Sequence, residues 1–209
     1  MAVFVNHRKK IYNYCLGTKG NLISHNVKIT KRFLWGYLNS VFNRVDEDRL
    51  KQVGPDRACA EWLLRCGASI KWKGLNHFEK DYNSLPGSNF DKYKIEEIDA
   101  SKSAVMGIGF PHLNGLKHVR KIILHDCNYL YDDALSYLPL VKETLNSLQI
   151  SSCGDISDEG LAHVCQLSNL KVLLMYDLPE VRNKSTVLKK LQGSLPKCNI
   201  DYFDATREK

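Results

Sequence analysis

The chain has 209 residues, 44% of them apolar and 25% charged, with a formal charge of +7. This is a globular composition, and the length suffices for one good core or two small ones. The charge is uneven: seven of the 30 basic residues precede residue 33, and residues 33–209 balance 23 basic against 23 acidic side chains, which argues against a nucleic-acid-binding body.

Residues 1–32 form a basic, hydroxyl-containing leader carrying Arg8, Lys9, Lys10, Lys19, Lys28, Lys31 and Arg32, and no Asp or Glu occurs before Asp46. Such a composition reads as a mitochondrial transit peptide, with a disordered basic tail as the plainer alternative. No continuous apolar core follows the basic residues, so a secretory signal does not fit. Cleavage is expected before Leu34. No run of about 18 apolar residues occurs, so no spanning helix is expected.

Seven cysteines stand at 15, 59, 66, 127, 153, 165 and 198, with no C-x-x-C pair. An odd, widely spaced set argues against a secreted disulfide framework and a thiolate zinc site, leaving small buried thiols.

After the leader, "FLWGYLNSVFNRVDEDRLKQVGPDR" places Leu34, Leu38, Val41 and Val45 at helical spacing, flanked by Trp35 and Phe42. It reads as an amphipathic helix whose aromatic arc packs on the body or meets a membrane surface or partner. "GPDRACAEWLLRCG" predicts a second helix that starts at Pro55 and stops at Gly67, with Ala58, Cys59, Trp62, Leu63 and Cys66 inward. "ASIKWKG" alternates through Ile70 and Trp72 as a short strand, and "HFEKDYNSLPGSNFDKY" reads as a punctuated loop.

From residue 93 a frame L-x-x-L-x-L-x-x-C recurs. Leu145, Leu148, Ile150 and Cys153 match Val119, Ile122, Leu124 and Cys127 upstream, and Leu170, Leu173, Met175 and Leu178 downstream. Ile95, Ile98 and Ala100 come before them, and Leu195, Cys198 and Ile200 close the series. Five turns of roughly 25 residues fall within the leucine-rich-repeat range. Each unit is expected to supply a strand with two inward residues, then a return segment. Leu130, Leu135 and Leu138 anchor one return, and Ile156, Leu161 and Val164 another, with Asp158 capping the helix. Cys127 and Cys153 should stack between units. "NKSTVLKKLQGSLP" supplies the last return helix.

The expected architecture is therefore α/β: a leucine-rich-repeat solenoid of about five short parallel strands with return helices. Residues 33–92 form an N-terminal helical and mixed capping domain, and 93–209 the repeats and tail.

No phosphate loop, zinc-protease motif or nucleophile elbow occurs, and "GIGF" lacks dinucleotide-loop spacing. His112, His118, His125 and His163 fall in different units. Asp132, Asp133, Asp155, Asp158 and Glu159 read as a solvated face. A docking surface is the stronger expectation, a thiol or other enzyme the weaker.

The segments "FLWGYLNSVFNRVDEDRLKQVGPDRACAEWLLRCGA", "DKYKIEEIDAS" and "ISSCGDISDEGL" together resemble the mitochondrial ATP synthase subunit s (coupling factor B) family, to which the distal membrane-arm assembly proteins are related. The resemblance spans roughly residues 33–198. It implies a non-catalytic, peripheral protein on the matrix side of the mitochondrial inner membrane, associated with the membrane sector of ATP synthase and its proton coupling. It also implies a magnesium site at Gly67 and Ser101, where family members commonly have threonine at the second position. No nucleic-acid partner or small-molecule substrate is implied. Mammalian members carry C-x-C where this chain has "HDC", so His125 replaces one thiol and a vicinal dithiol cannot form there. The alternatives are an assembly factor for a respiratory-chain complex, or a leucine-rich-repeat substrate adaptor of a ubiquitin ligase.

Overall fold

The computed structural model describes residues 36–203; the leader expected at 1–32 lies outside them. Residues 37–203 fall within one compact unit. Residues 37–43 are helical (α1). The single long helix expected here is interrupted at 44–46, because Asp46 leaves the helical conformation and caps the next helix, accepting from Arg49 N at 2.9 Å.

Helix α2, Glu47–Arg65, has one break at Gly54, where φ 76° and ψ 169° are open only to glycine. Pro55 then restarts the helix, as expected, since its missing N–H costs nothing in a first turn. The helix stops at Cys66, and Gly67 turns the chain at φ +82°. Cys59, Trp62, Leu63 and Cys66 are buried on its inner face.

Six strands follow: β1 (Ser69–Trp72), β2 (Ile95–Asp99), β3 (Lys121–His125), β4 (Ser147–Ser151), β5 (Val172–Tyr176) and β6 (Asn199–Phe203). They form one mixed sheet in sequence order. β1 runs antiparallel to β2, and β2 to β6 run parallel. The helices α3 (Asp132–Leu135), α4 (Asp158–Val164) and α5 (Lys184–Ser194), with short 3-10 turns, lead from one parallel strand toward the next.

The register aligns the apolar frame found in the sequence. Ile98, Ile122, Leu148, Leu173 and Ile200 sit in one row, at offsets of 24, 26, 25 and 27 residues. Leu124, Ile150, Met175 and Tyr202 form the next. The members of these rows on β2 to β5, with Leu130, Leu135, Leu138, Ile156, Leu161 and Val164 from the returns, belong to a single hydrophobic cluster running from Cys59 to Leu195, and Ile200 and Tyr202 of β6 pack against it partly buried.

The turn after each strand repeats as well. Lys102, Asp126, Ser152 and Asp177 all take φ between 50° and 56°, an uncommon conformation for residues with a Cβ. The N–H groups of Lys102, Asp126 and Ser152 each bond a carbonyl at the end of the next strand, His125, Ser151 and Tyr176. Next to this column, Cys127 Sγ donates to Ala100 O at 3.0 Å and Cys153 Sγ to Leu124 O at 3.6 Å. Each thiol thus reaches back to a backbone carbonyl of the preceding unit, and Cys153 Sγ lies nearer still to Ser151 O of its own strand, at 3.3 Å.

One expectation is corrected. The α4 cap is Ser157, whose side chain accepts from Glu159 N, and not Asp158. Asp158 instead accepts from the backbone and side chain of Asn183, at the start of α5. Asp132 does the same one unit earlier: it accepts from Ser157 N at 2.8 Å and Ser157 Oγ at 2.6 Å. Both staples span 25 residues. These two aspartates tie successive units together and are not merely part of a solvated face.

Candidate functional site

Strand alternation that sends one set of side chains to the core sends the other outward. The outward set of β3 to β6 is mixed. Ile123 and Leu174 are half-buried at its centre, and Val172 and Phe203 are 42% and 56% exposed. On β1 and β2 the face is charged, with Lys71 and Glu97 paired across the strands.

At one end of this face His125, Ser151 and Tyr176 occupy equivalent positions on adjacent strands. His125 Nδ1 lies 3.0 Å from Ser151 Oγ and 3.4 Å from the Tyr176 hydroxyl. Gln149 Nε2 donates to Ser151 Oγ at 2.9 Å and reaches the Tyr176 hydroxyl at 3.5 Å. Histidine and serine in contact invite comparison with a nucleophile and its base. Ser151 is fully buried, however, and its hydroxyl is already engaged by Gln149. The network fixes the rings of His125 and Tyr176, whose centroids are 6.0 Å apart, as rigid features of a surface. Sequence reasoning missed this cluster. Its signal was the shared frame position of residues 125, 151 and 176.

Gly67 and Ser101, the implied magnesium residues, are distant in sequence and lie just beyond the paired ends of β1 and β2. Ser69 and Asp99 are the last pair of that register, and Gly67 and Ser101 each stand two residues beyond it in the flanking turns. Ala104 N donates to Cys66 O at 2.8 Å across the same gap. Ser101 N and Oγ both donate to Asp99 Oδ1, at 3.0 and 2.5 Å. The hydroxyl proton is thus spent on the carboxylate, and the hydroxyl oxygen keeps lone pairs to offer. One carboxylate, one hydroxyl and one glycine carbonyl suit a magnesium ion that retains several waters. Among the described residues, no group of three or more His, Cys, Asp or Glu side chains converges as a metal cage.

Three of the four buried thiols are pushed up, and Cys153 is the exception: its hydrogen bond with Cys127 outweighs burial and lowers it. Burial pushes Cys59 well up and Cys66 up to about 12. Cys127 is raised by its hydrogen bond with Cys153 and by burial. Cys127, Cys153, Cys59 and Cys66 are all free and buried.

The most elaborate buried charges lie in α2. Glu61 is almost fully buried; it accepts from Arg49 Nη2 at 2.7 Å and Arg57 Nε at 2.8 Å. Burial pushes its carboxyl up, but the two guanidinium groups outweigh it and hold the group below the usual carboxylate range. Asp56, also buried, accepts from Ile95 N and Lys94 Nζ, joining α2 to the head of β2. Asn43 fastens α1: its Oδ1 accepts from Trp62 Nε1 and Met106 N, and its Nδ2 donates to Ala104 O. These groups build the scaffold and leave no open site. Tyr37, Val41 and Phe42 of α1 remain exposed.

No family model matches the chain. Curated relatives do. The mitochondrial ATP synthase subunit s proteins of Homo sapiens and Pongo abelii are each 48% identical over 172 residues, covering 81% of this chain and 86% of theirs. The Bos taurus protein of that name is 45% identical over the same span. A distal membrane arm assembly component 2 of Drosophila melanogaster is 22% identical over 162 residues, covering 76% of this chain and 57% of its own length. The chain belongs to the mitochondrial ATP synthase subunit s family.

Proposed function

We propose that this protein is a non-catalytic, peripheral factor of the mitochondrial inner membrane that works with ATP synthase from the matrix side and supports its proton coupling. The observation that carries this reading is identity of 44–48% over 81% of the chain to proteins named mitochondrial ATP synthase subunit s. The basic, acid-free leader supports a mitochondrial destination. The aligned apolar rows, the column of left-handed turns and the 25-residue staples support a leucine-rich-repeat stack whose N-terminal helices cover the first unit. On such a scaffold the outward sheet face is the docking surface, with His125 and Tyr176 as its fixed polar end and Leu174, Val172 and Phe203 as its apolar part.

The test is the full tagged chain expressed in cells, with mitochondria isolated and carbonate-washed, and ATP synthase purified under mild detergent. Co-purification with the membrane sector is expected, and loss of the protein should lower proton-driven ATP synthesis relative to ATP hydrolysis. Recovery in the cytosol alone, with the leader intact, would refute it.

Similarity to a distal membrane arm assembly component favours a second reading, an assembly factor for a respiratory-chain complex. Association with partly assembled respiratory complexes rather than ATP synthase would select it.

The corner at Gly67, Asp99 and Ser101 is the proposed seat of a mostly hydrated magnesium ion. Weak, saturable heat of binding that is lost in Asp99→Asn and Ser101→Ala together is the expected calorimetric result. An unchanged titration in that double variant would place the ion elsewhere.

A further inference from the structure

In a parallel sheet every strand enters at one edge and leaves at the other, so the entering and leaving loops form two opposite rims. Here the rims differ in charge. The loops entering β3 to β6, residues 114–120, 142–146, 166–171 and 195–198, carry Lys117, Arg120, Lys142, Lys171 and Lys197, with Glu143 as their one acidic residue. The loops leaving β2 to β5 carry Asp126, Asp155, Asp177 and Glu180 against Lys102 and Arg182. Of the helices that follow them, α3 and α4 open with Asp132, Asp133, Asp158 and Glu159, and α5 opens with Lys184. The near-neutral body is thus polarised along the strand direction.

The basic rim is also available. Its five Lys and Arg residues are exposed. Among the described residues, Lys117, Lys142, Lys171 and Lys197 form no ion pair, and Arg120 has only a loose one to Glu96 at 3.8 Å. Lys117, His118, Arg120, Glu143, Thr144 and Asn146 line an open recess of about 260 Å³. Lys73 joins from the end of β1, its Nζ 3.4 Å from His118 Nδ1. Two apolar side chains stand at this edge: Leu140, 43% exposed, two residues before Lys142, and Leu75, 39% exposed, two residues after Lys73.

We infer that the basic rim rests on an anionic phospholipid surface, with headgroup phosphates in the recess at Lys117 and Arg120 and with Leu75 and Leu140 at the acyl boundary. Predominantly basic charge beside exposed leucines fits a lipid surface, where charge attraction and apolar insertion act together. An acidic protein would match the lysines but not the separate leucines. The orientation follows from the fold: the strands stand toward the membrane by their entering ends, the acidic rim faces away, and the sheet face stays open to a protein partner. This deepens the peripheral-membrane part of the proposed function and rests on it.

The experiment is sedimentation of the full chain with vesicles of equal parts phosphatidylcholine and phosphatidylglycerol, or of phosphatidylcholine alone. The leader is itself basic, so all measurements are repeated in a full chain carrying Arg8→Gln, Lys9→Gln and Lys10→Gln. Each rim cation contributes about fivefold to partitioning, so Lys117→Gln, Arg120→Gln and Lys142→Gln together should weaken binding about 100-fold. High salt should weaken it too, and inorganic phosphate at matched ionic strength should not. Hydrogen exchange on vesicles should slow at 114–120 and 140–146 and remain unchanged at 126–131 and 152–157. Failure to bind anionic vesicles, equal binding to neutral ones, or an undiminished triple variant would overturn the inference. So would release by inorganic phosphate, which would mark a free-anion site. Loss of ATP synthase from the triple variant, with vesicles ignored throughout, would assign the rim to an acidic protein. Absence of ATP synthase from the wild-type purification would defeat the functional reading while leaving the vesicle result unaffected.

Discussion

The paired staples allow the same contact to be measured twice, at different burial. Asp132 receives two short hydrogen bonds from Ser157 in a partly buried setting. Asp158 receives longer ones from Asn183, 3.0 to 3.4 Å, at an exposed position. A hydrogen bond to a charged group contributes about 1.5–3 kcal/mol when sheltered, and removing the acceptor strands the donor. Water reaches both sites in part, so Asp132→Ala should cost about 2–3 kcal/mol, including a few tenths from the lost negative charge at the start of α3. Asp158→Ala should cost under about 1 kcal/mol, because its donors return to solvent. For a protein of this size the first corresponds to a fall of about 5–10 °C in Tm. Urea unfolding at neutral pH, followed by tryptophan fluorescence, gives both values. Asp132→Asn keeps an acceptor for Ser157 N and should lie between them. If Asp132→Ala and Asp158→Ala cost the same, or if Asp132→Ala falls within about 0.5 kcal/mol of wild type, the staples do not join successive units energetically.

Three further outcomes follow from buried groups. Glu61→Gln leaves Arg57, only 11% exposed, without its counter-charge but keeps one acceptor, so it should cost about 2 kcal/mol at neutral pH. Because the folded carboxyl sits below its ordinary value, the wild-type advantage should be full above the unfolded pKa of about 4.3 and should vanish as pH falls through the folded value; a gap that persists unchanged in acid would refute the assignment. A Cβ at Gly109 would lie 2.4 Å from Trp62 Nε1, which itself holds Asn43, so Gly109→Ala should cost about 1–3 kcal/mol in urea unfolding and expose α1 to proteolysis. Gly107→Ala meets only the Asp133 carboxylate, an exposed and movable group, and should cost less in the same assay. Among the described cysteines, native alkylation near neutral pH should spare Cys59, Cys66 and Cys127 and reach Cys165 first; rapid labelling of Cys127 would revive a thiol function.

The strands were legible in the sequence because their signal is redundant. Leu124, Ile150 and Met175 recur at offsets of 26 and 25 residues, and the register places them side by side. Burial selects apolar side chains, so burial leaves a pattern. The break at Arg44–Asp46 was hidden because the apolar spacing continues across it and only the cap at Asp46 interrupts it. Asp158 was assigned to the wrong donor because an aspartate near a helix start bonds its own helix or a neighbour's with equal sequence logic, and only position decides. Lys102, Asp126, Ser152 and Asp177 share one backbone conformation yet no common chemistry, so composition could not reveal that column. The His125–Ser151–Gln149–Tyr176 network was hidden for a similar reason. His125, Ser151 and Tyr176 hold one place in the frame but belong to different residue types, and no apolar rule ties them or the neighbouring Gln149 together.

The two rims can be told apart by what each does for the fold. On the acidic rim two side chains are consumed internally, Asp132 and Asp158, which hold the next unit, and the turns are fixed by left-handed residues bonded to the neighbouring strand. Entry to the strands is instead secured by the backbone, with Arg120 O accepting from Asn146 and Ser147 N–H, and Asn146 O from Lys171 and Val172 N–H. Nothing in that ladder needs the basic side chains. Charges the fold does not require, kept on one edge, are charges available to a partner. Substitutions should therefore separate by rim: changes at Asp132 should alter binding only in step with lost stability, whereas changes at Lys117 and Lys142 should reduce binding at unchanged unfolding midpoint. Plotting partition against stability for both sets distinguishes the cases. A single common line would mean that the basic rim, like the acidic one, is merely part of the scaffold.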